Sequence, residues 1–208
     1  MATTTMTVRD LRRQWKPHKE RLAAVRSDHP TAVRFHRACS WLDEAEKLDA
    51  DRQPDHVLIQ QWIALNALYG QWDANAREPT ADRGRWKQFL EQILAVDQSN
   101  HVQAVLVEHK RLVLAILGNA YLNRYFWAEP TELSKGRYAK SGLHAQSWYV
   151  EKRWLMIAEQ LLERVYLLRC QVIHGAATYG GQLNREALKH CTTMMRLLIP
   201  AILQVWID

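Results

Sequence analysis

The chain has 208 residues, enough for one domain with a small extension and for a core that needs no disulfide or metal. Hydrophobic residues make up 48% and charged residues 24%, with only 8 glycines and 6 prolines, which excludes a low-complexity or fibrous chain. The net charge of +6 suits a nucleic-acid partner and equally a solvated basic surface.

The helical period runs nearly throughout. Residues 7–26, TVRDLRRQWKPHKERLAAVR, predict a basic helix broken or kinked at Pro17. Next, TAVRFHRACSWLDEAEKL places Phe35, Ala38, Cys39, Leu42 and Ala45 on one face. After the turn ADRQPD comes DHVLIQQWIALNALYGQW, with a stripe through Ile59, Trp62, Ile63, Asn66 and Tyr69 or Gly70. It is apolar around much of its circumference, so it is expected at the centre. A polar loop, DANAREPTADRG, leads to a helix in RWKQFLEQILAVD. Residues 99–127 predict one long helix disturbed near Gly118, and 128–146 predict a loop rich in lysine and arginine. The last two helices are expected in 147–174 and 184–207, with Pro200 kinking or loosening the final turns of the second. The fold class is all-α, a helical bundle. The boundary is set after residue 30, between a basic N-terminal extension (1–30) and a helical domain (31–208).

The 9 tryptophans are expected to anchor the packing. The 3 cysteines are widely spaced and lack metal-finger spacing, which points to a reducing compartment. MATTTMTVRDLRRQWK has no apolar core of a signal peptide, and no run approaches the length of uninterrupted apolar sequence that a bilayer needs. The expectation is a cytoplasmic protein with no membrane association.

The chemistry concentrates in LLRCQVIHGAATYGGQLNR, residues 167–185. Arg169 and His174 are five residues apart, about 140° of rotation and 7.5 Å of rise on a regular helix, so in mid-helix they would not share a face. Gly175 suits a C-terminal cap, which ends the helix at His174. If the last turn unwinds, the imidazole can swing toward the guanidinium. That would set a fixed positive charge beside a proton-transfer group, a pair suited to a phosphodiester. RNA supplies its own nucleophile in the 2′-OH. A histidine can take that proton or protonate the leaving 5′-oxygen, and an arginine can hold the non-bridging oxygens. No cofactor is called for. The plainer alternative is that both cations merely suit the negative end of the helix dipole.

The stretch resembles the HEPN family (higher eukaryotes and prokaryotes nucleotide-binding domain), whose signature is an arginine, a polar residue, variable positions and a histidine; RCQVIH supplies the arginine and the histidine. A group of bacterial HEPN proteins is similar over more of the chain. RACSWLDEAE (37–46), WIALNALYG (62–70), NAYLNRYFW (119–127) and LRCQVIHGAATYGGQLNR (168–185) occur in the order found there, over residues 35–208.

The resemblance implies a HEPN-type helical bundle and, for many members, a metal-independent endoribonuclease. Two R-x4-H helix ends would face each other across a homodimer cleft. It implies Arg169 and His174 as the catalytic pair, with Cys170, Gln171 and Tyr179 as neighbours able to support it. Members often act as toxins beside an antitoxin or in antiviral defence with partner proteins. Two positions depart from the pattern. Active members carry Asn, Asp or His after the arginine, where this chain has Cys170. Some toxins carry a tyrosine two residues after the histidine, which the antitoxin modifies with AMP; Ala176 stands there. The alternative function is a non-catalytic HEPN-like module that binds a nucleotide or protein.

Other constellations are weaker. Cys170 and His174 at i, i+4 could form a thiol–imidazole pair, although a small thiol in an apolar run is ordinarily core. The 9 histidines lack the spacing and acidic companions of a metal site. Lys135, Arg137 and Lys140 could hold a substrate phosphate if their loop lies near the cleft. The basic residues of 9–26 read as a solvated helix, with an RNA-guiding arm as the alternative. Asn66, Asn119 and Asn123 are assigned to packing, and Asn184 to capping the last helix.

Overall fold

The computed structural model describes residues 6–79, 82–124 and 144–208. They form an all-α structure: α1 (Val8–Val25), α2 (Pro30–Glu46), α3 (Pro54–Tyr69), α4 (Asp82–Val96), α5 (His101–Glu108), α6 (Lys110–Leu117), a 3-10 turn (Ala120–Leu122), a helical segment at 144–150, α7 (Trp154–Ile173) and α8 (Arg185–Ile207). Trp72–Asp73 and Glu78–Pro79 pair as two-residue antiparallel strands inside the loop before α4.

Local chemistry starts the helices. Thr7 and Asp10 form a capping box on α1: each side chain accepts from the other residue's N–H, at 3.3 Å in both cases. Pro30 and Pro54 open α2 and α3, where a missing N–H costs nothing. α1 is helical on both sides of Pro17, so the chain is not broken there, and α8 stays helical through the buried Pro200.

Burial holds the bundle together. Phe35, Ala38, Cys39, Leu42 and Ala45 of α2 are all buried, as their spacing predicts. α3 is central, packing on α2, α4, α7 and α8, but its buried face differs from the expected stripe. Leu58, Gln61, Trp62, Leu65 and Leu68 point inward, and Ile59, Ile63 and Asn66 are only half-buried. A helix apolar on every side carries no phase for periodicity to read. Trp62 and Trp86 are fully buried and Trp15 nearly so, while Trp41 is exposed. Each fully buried large side chain is worth roughly 2–3 kcal/mol, whereas the ion pairs are mostly exposed and contribute little. α8 is long and apolar enough by length and composition to cross a membrane, but 56% of its most apolar window is buried in this core.

Two expected long helices are divided. The helix expected from residue 99 breaks at His109 (φ −101°, ψ 26°), ends at Gly118 and tightens into the 3-10 turn. The helix expected at 147–174 is interrupted at 151–153, where Lys152 adopts φ +55°. Residues 144–146, expected in a loop, are helical. α1, assigned to an extension, contributes Val8, Leu11 and Trp15 to the common core.

Candidate functional site at the end of α7

α7 carries the motif on a helix whose inner face is Leu161, Leu162, Val165, Leu168 and Gln171. Two buried polar side chains on it secure the preceding chain. Arg164 Nη1 donates to the Leu122 carbonyl at 3.0 Å, and Gln171 Nε2 donates to the Tyr121 carbonyl at 3.0 Å. Both acceptors belong to the 3-10 turn, which Asn119 caps by accepting from the Tyr121 N–H at 2.9 Å. Burial holds the Arg164 guanidinium below its ordinary value. Gln171, grouped with the site by sequence, is thus a buried tie between α7 and the turn.

α7 ends where the glycine predicts. The His174 N–H donates to the Cys170 carbonyl at 2.9 Å, and Gly175 takes φ +73°, a left-handed conformation that L side chains resist. The chain then reverses, and the Ala177 N–H donates to the Gln171 carbonyl at 3.1 Å.

Within one protomer, Arg169 and His174 do not meet. The helix remains regular to Ile173, so the imagined unwinding is absent and no hydrogen bond joins the two side chains. His174 is exposed; Arg169 is half-buried. Arg169 Nη1 lies 3.9 Å from Cys170 Sγ, a weak contact, and its Nε is shielded from water with no partner. Among the described residues no carboxylate pairs with it.

Around this end sequence reasoning named Tyr179 but missed His56, Asp55, Arg185 and Lys189. Tyr179 is exposed and its ring lies 5.3 Å from that of His56, in the first turn of α3. Arg185 opens α8 and clasps the turn before α3, donating to the Asp51 and Arg52 carbonyls at 2.8 Å each and to buried Asp55 at 3.4 Å. Lys189 adds an ion pair to Asp51 at 2.7 Å, which holds that carboxyl below its ordinary range. The signal available was the Asn–Arg pair opening α8. Asn184 occupies the N-cap position but its side chain makes no capping bond, and its Nδ2 is buried without a partner. Lys135, Arg137 and Lys140 lie outside the described residues.

Three large apolar side chains at this end face solvent: Ile173 at 45%, Tyr179 at 67% and Leu183 at 66% exposure. Comparisons of the chain with protein-family models, with curated proteins and with solved structures find no match.

Proposed function

We propose that the chain is a metal-independent endoribonuclease of the HEPN type, a toxin or phage-defence effector that works in the cytoplasm as a homodimer. The observation that carries this reading is Arg169. A half-buried guanidinium with no carboxylate partner and a shielded, unbonded Nε is costly to keep, and a phosphate is the ligand that would offset that cost. It stands within the last turn and a half of α7, whose end exposes His174. Ile173, Tyr179 and Leu183 supply the apolar surface through which two such ends would dock.

Because one protomer leaves Arg169 and His174 apart, the reaction is assigned to a cleft shared by two. His174 of one protomer takes the proton of the RNA 2′-OH, and the oxygen attacks phosphorus. Arg169 neutralises the charge growing on the non-bridging oxygens. The P–O5′ bond breaks, and the second protomer's His174 gives its proton to the leaving oxygen. The products are a 2′,3′-cyclic phosphate and a 5′-hydroxyl.

The contact of Arg169 with Cys170, rather than with a hydrogen-bonding residue, favours a second reading: a non-catalytic module that grips a phosphate-bearing nucleotide or a partner protein. The two are separated by incubating wild type, Arg169→Ala and His174→Ala with RNA in EDTA. The nuclease reading expects cleavage by wild type alone, with cyclic phosphate ends and rate losses of about 10²–10⁴ in the variants. Equal behaviour of all three proteins removes it.

A further inference from the structure

A groove of about 810 Å3 runs between α1 and α2, far in sequence from the motif. Trp15 and Phe35, stacked with ring centroids 4.3 Å apart, are buried beneath it. Its walls carry Arg12, Lys16 and Lys19 from α1, and His36 and Arg37 from α2. All five are exposed, and no carboxylate residue lines the groove.

The placement follows from helix geometry. Positions 12, 16 and 19 are i, i+4 and i+7, so they form one stripe along about 10 Å of α1, while Val8, Leu11 and Trp15 turn into the core. Like charges at these spacings repel one another. Only Arg12 is partly compensated, through Asp43 at 3.8 Å and the Cys39 carbonyl at 3.4 Å. Lys16, Lys19 and Arg37 have no ion-pair partner among the described residues. Elsewhere Arg13 of α1 pairs with Asp10, and Lys47, just past α2, pairs with Asp43 and Glu44. Arg9, Arg21 and Arg34 also lack an ion pair among the described residues, so the groove is set apart by the clustering of its cations with no carboxylate in its lining.

We propose that this groove binds the sugar–phosphate backbone of single-stranded RNA, with Lys16, Lys19 and Arg37 as phosphate contacts and Arg12 at its edge. The aromatic rings are too deeply buried to stack on bases, so the groove grips the strand without reading sequence. The choice of RNA rests on the proposed nuclease function. Binding is nevertheless tested apart from cleavage, because groove and motif occupy different helices.

The full chain carrying His174→Ala is titrated against a labelled 20-nucleotide RNA, by fluorescence anisotropy, across a salt series. Lys16→Gln, Lys19→Gln and Arg37→Gln are then combined. A second triple variant, Arg111→Gln, Lys152→Gln and Arg153→Gln, removes the same charge elsewhere, and thermal melting checks that both fold. The groove variant is expected to bind at least about tenfold more weakly, and its log Kd–log salt slope to fall by roughly 2, at about 0.7 per phosphate contact. The control triple is expected to stay within about twofold of its parent. Equal losses in the two triples overturn the proposal. So does a groove variant that keeps RNA affinity but loses binding to phosphatidylserine vesicles, which would assign the groove to a membrane surface. If the RNA is bound through the groove but is not cut by the chain with His174 intact, the groove stands and the nuclease reading falls.

Discussion

Replacing Gly175 by alanine isolates the backbone geometry that ends α7 at His174. Gly175 sits at φ +73°, and an added Cβ would meet nothing within 4 Å. Any cost therefore comes from the left-handed conformation itself, about 1–2 kcal/mol for an alanine. Gly84, in the first turns of α4, offers the same open space without a positive φ, so Gly84→Ala should stabilise by about 0.5–1 kcal/mol through helix propensity. At this chain length, 1 kcal/mol moves the melting temperature by about 2–4 °C, so the two alanine variants should melt on opposite sides of wild type. Gly175→Asn should lose less than Gly175→Ala, because asparagine tolerates the left-handed region. The assay is calorimetry or urea unfolding of all three beside wild type. A Gly175→Ala protein as stable as wild type would refute the assignment of this turn, and with it the placement of the His174 side chain.

Further outcomes follow from the core and its titrating groups. Trp62→Ala, at a 1% exposed position, should cost about 3–5 kcal/mol in urea unfolding. Gly70→Ala should cost about 1–3 kcal/mol, because its Cβ would lie 2.8 Å from Asn66 Oδ1 and 2.9 Å from the Asn66 carbonyl oxygen; adding Asn66→Ala should recover only part, since the backbone clash remains. Timed alkylation should reach Cys170 first, with Cys39 and Cys191 modified only on unfolding, since both are fully buried and burial pushes the Cys39 thiol up to about 12. Partial burial raises the Glu46 carboxyl above its ordinary value, despite the hydrogen bond from the Val8 N–H. The folded chain therefore holds that proton more tightly than the unfolded chain, and the group lowers stability as pH climbs from the unfolded value through the folded one. Glu46→Gln should be more stable than wild type at pH 7, with the gain vanishing below pH ~4.

How much was legible depended on what each residue's neighbours could add. The face of α2 could be read because its other side is polar, and the end of α7 because glycine has a distinct backbone preference. The phase of α3 could not, because apolar side chains surround the helix. The breaks at His109 and Lys152 use neither glycine nor proline, so local chemistry gave no warning. Arg164 and Gln171 look like surface residues of a helix and turn out to be buried ties to a turn some forty to fifty residues earlier. In the candidate site, the helix end was readable and the separation of Arg169 from His174 was not, since it depends on whether the last turn stays regular.

The central claim is that two chains, not one, assemble the cutting site. Sedimentation velocity across a dilution series, run beside cleavage of an RNA with a single 2′-deoxy substitution and its unmodified counterpart, tests it directly. The account predicts that activity falls in step with the dimer fraction, and that the deoxy position resists cutting while its ribose counterpart is cut. A monomer that cleaves at full specific rate, or a stable dimer that leaves both RNAs intact, contradicts it.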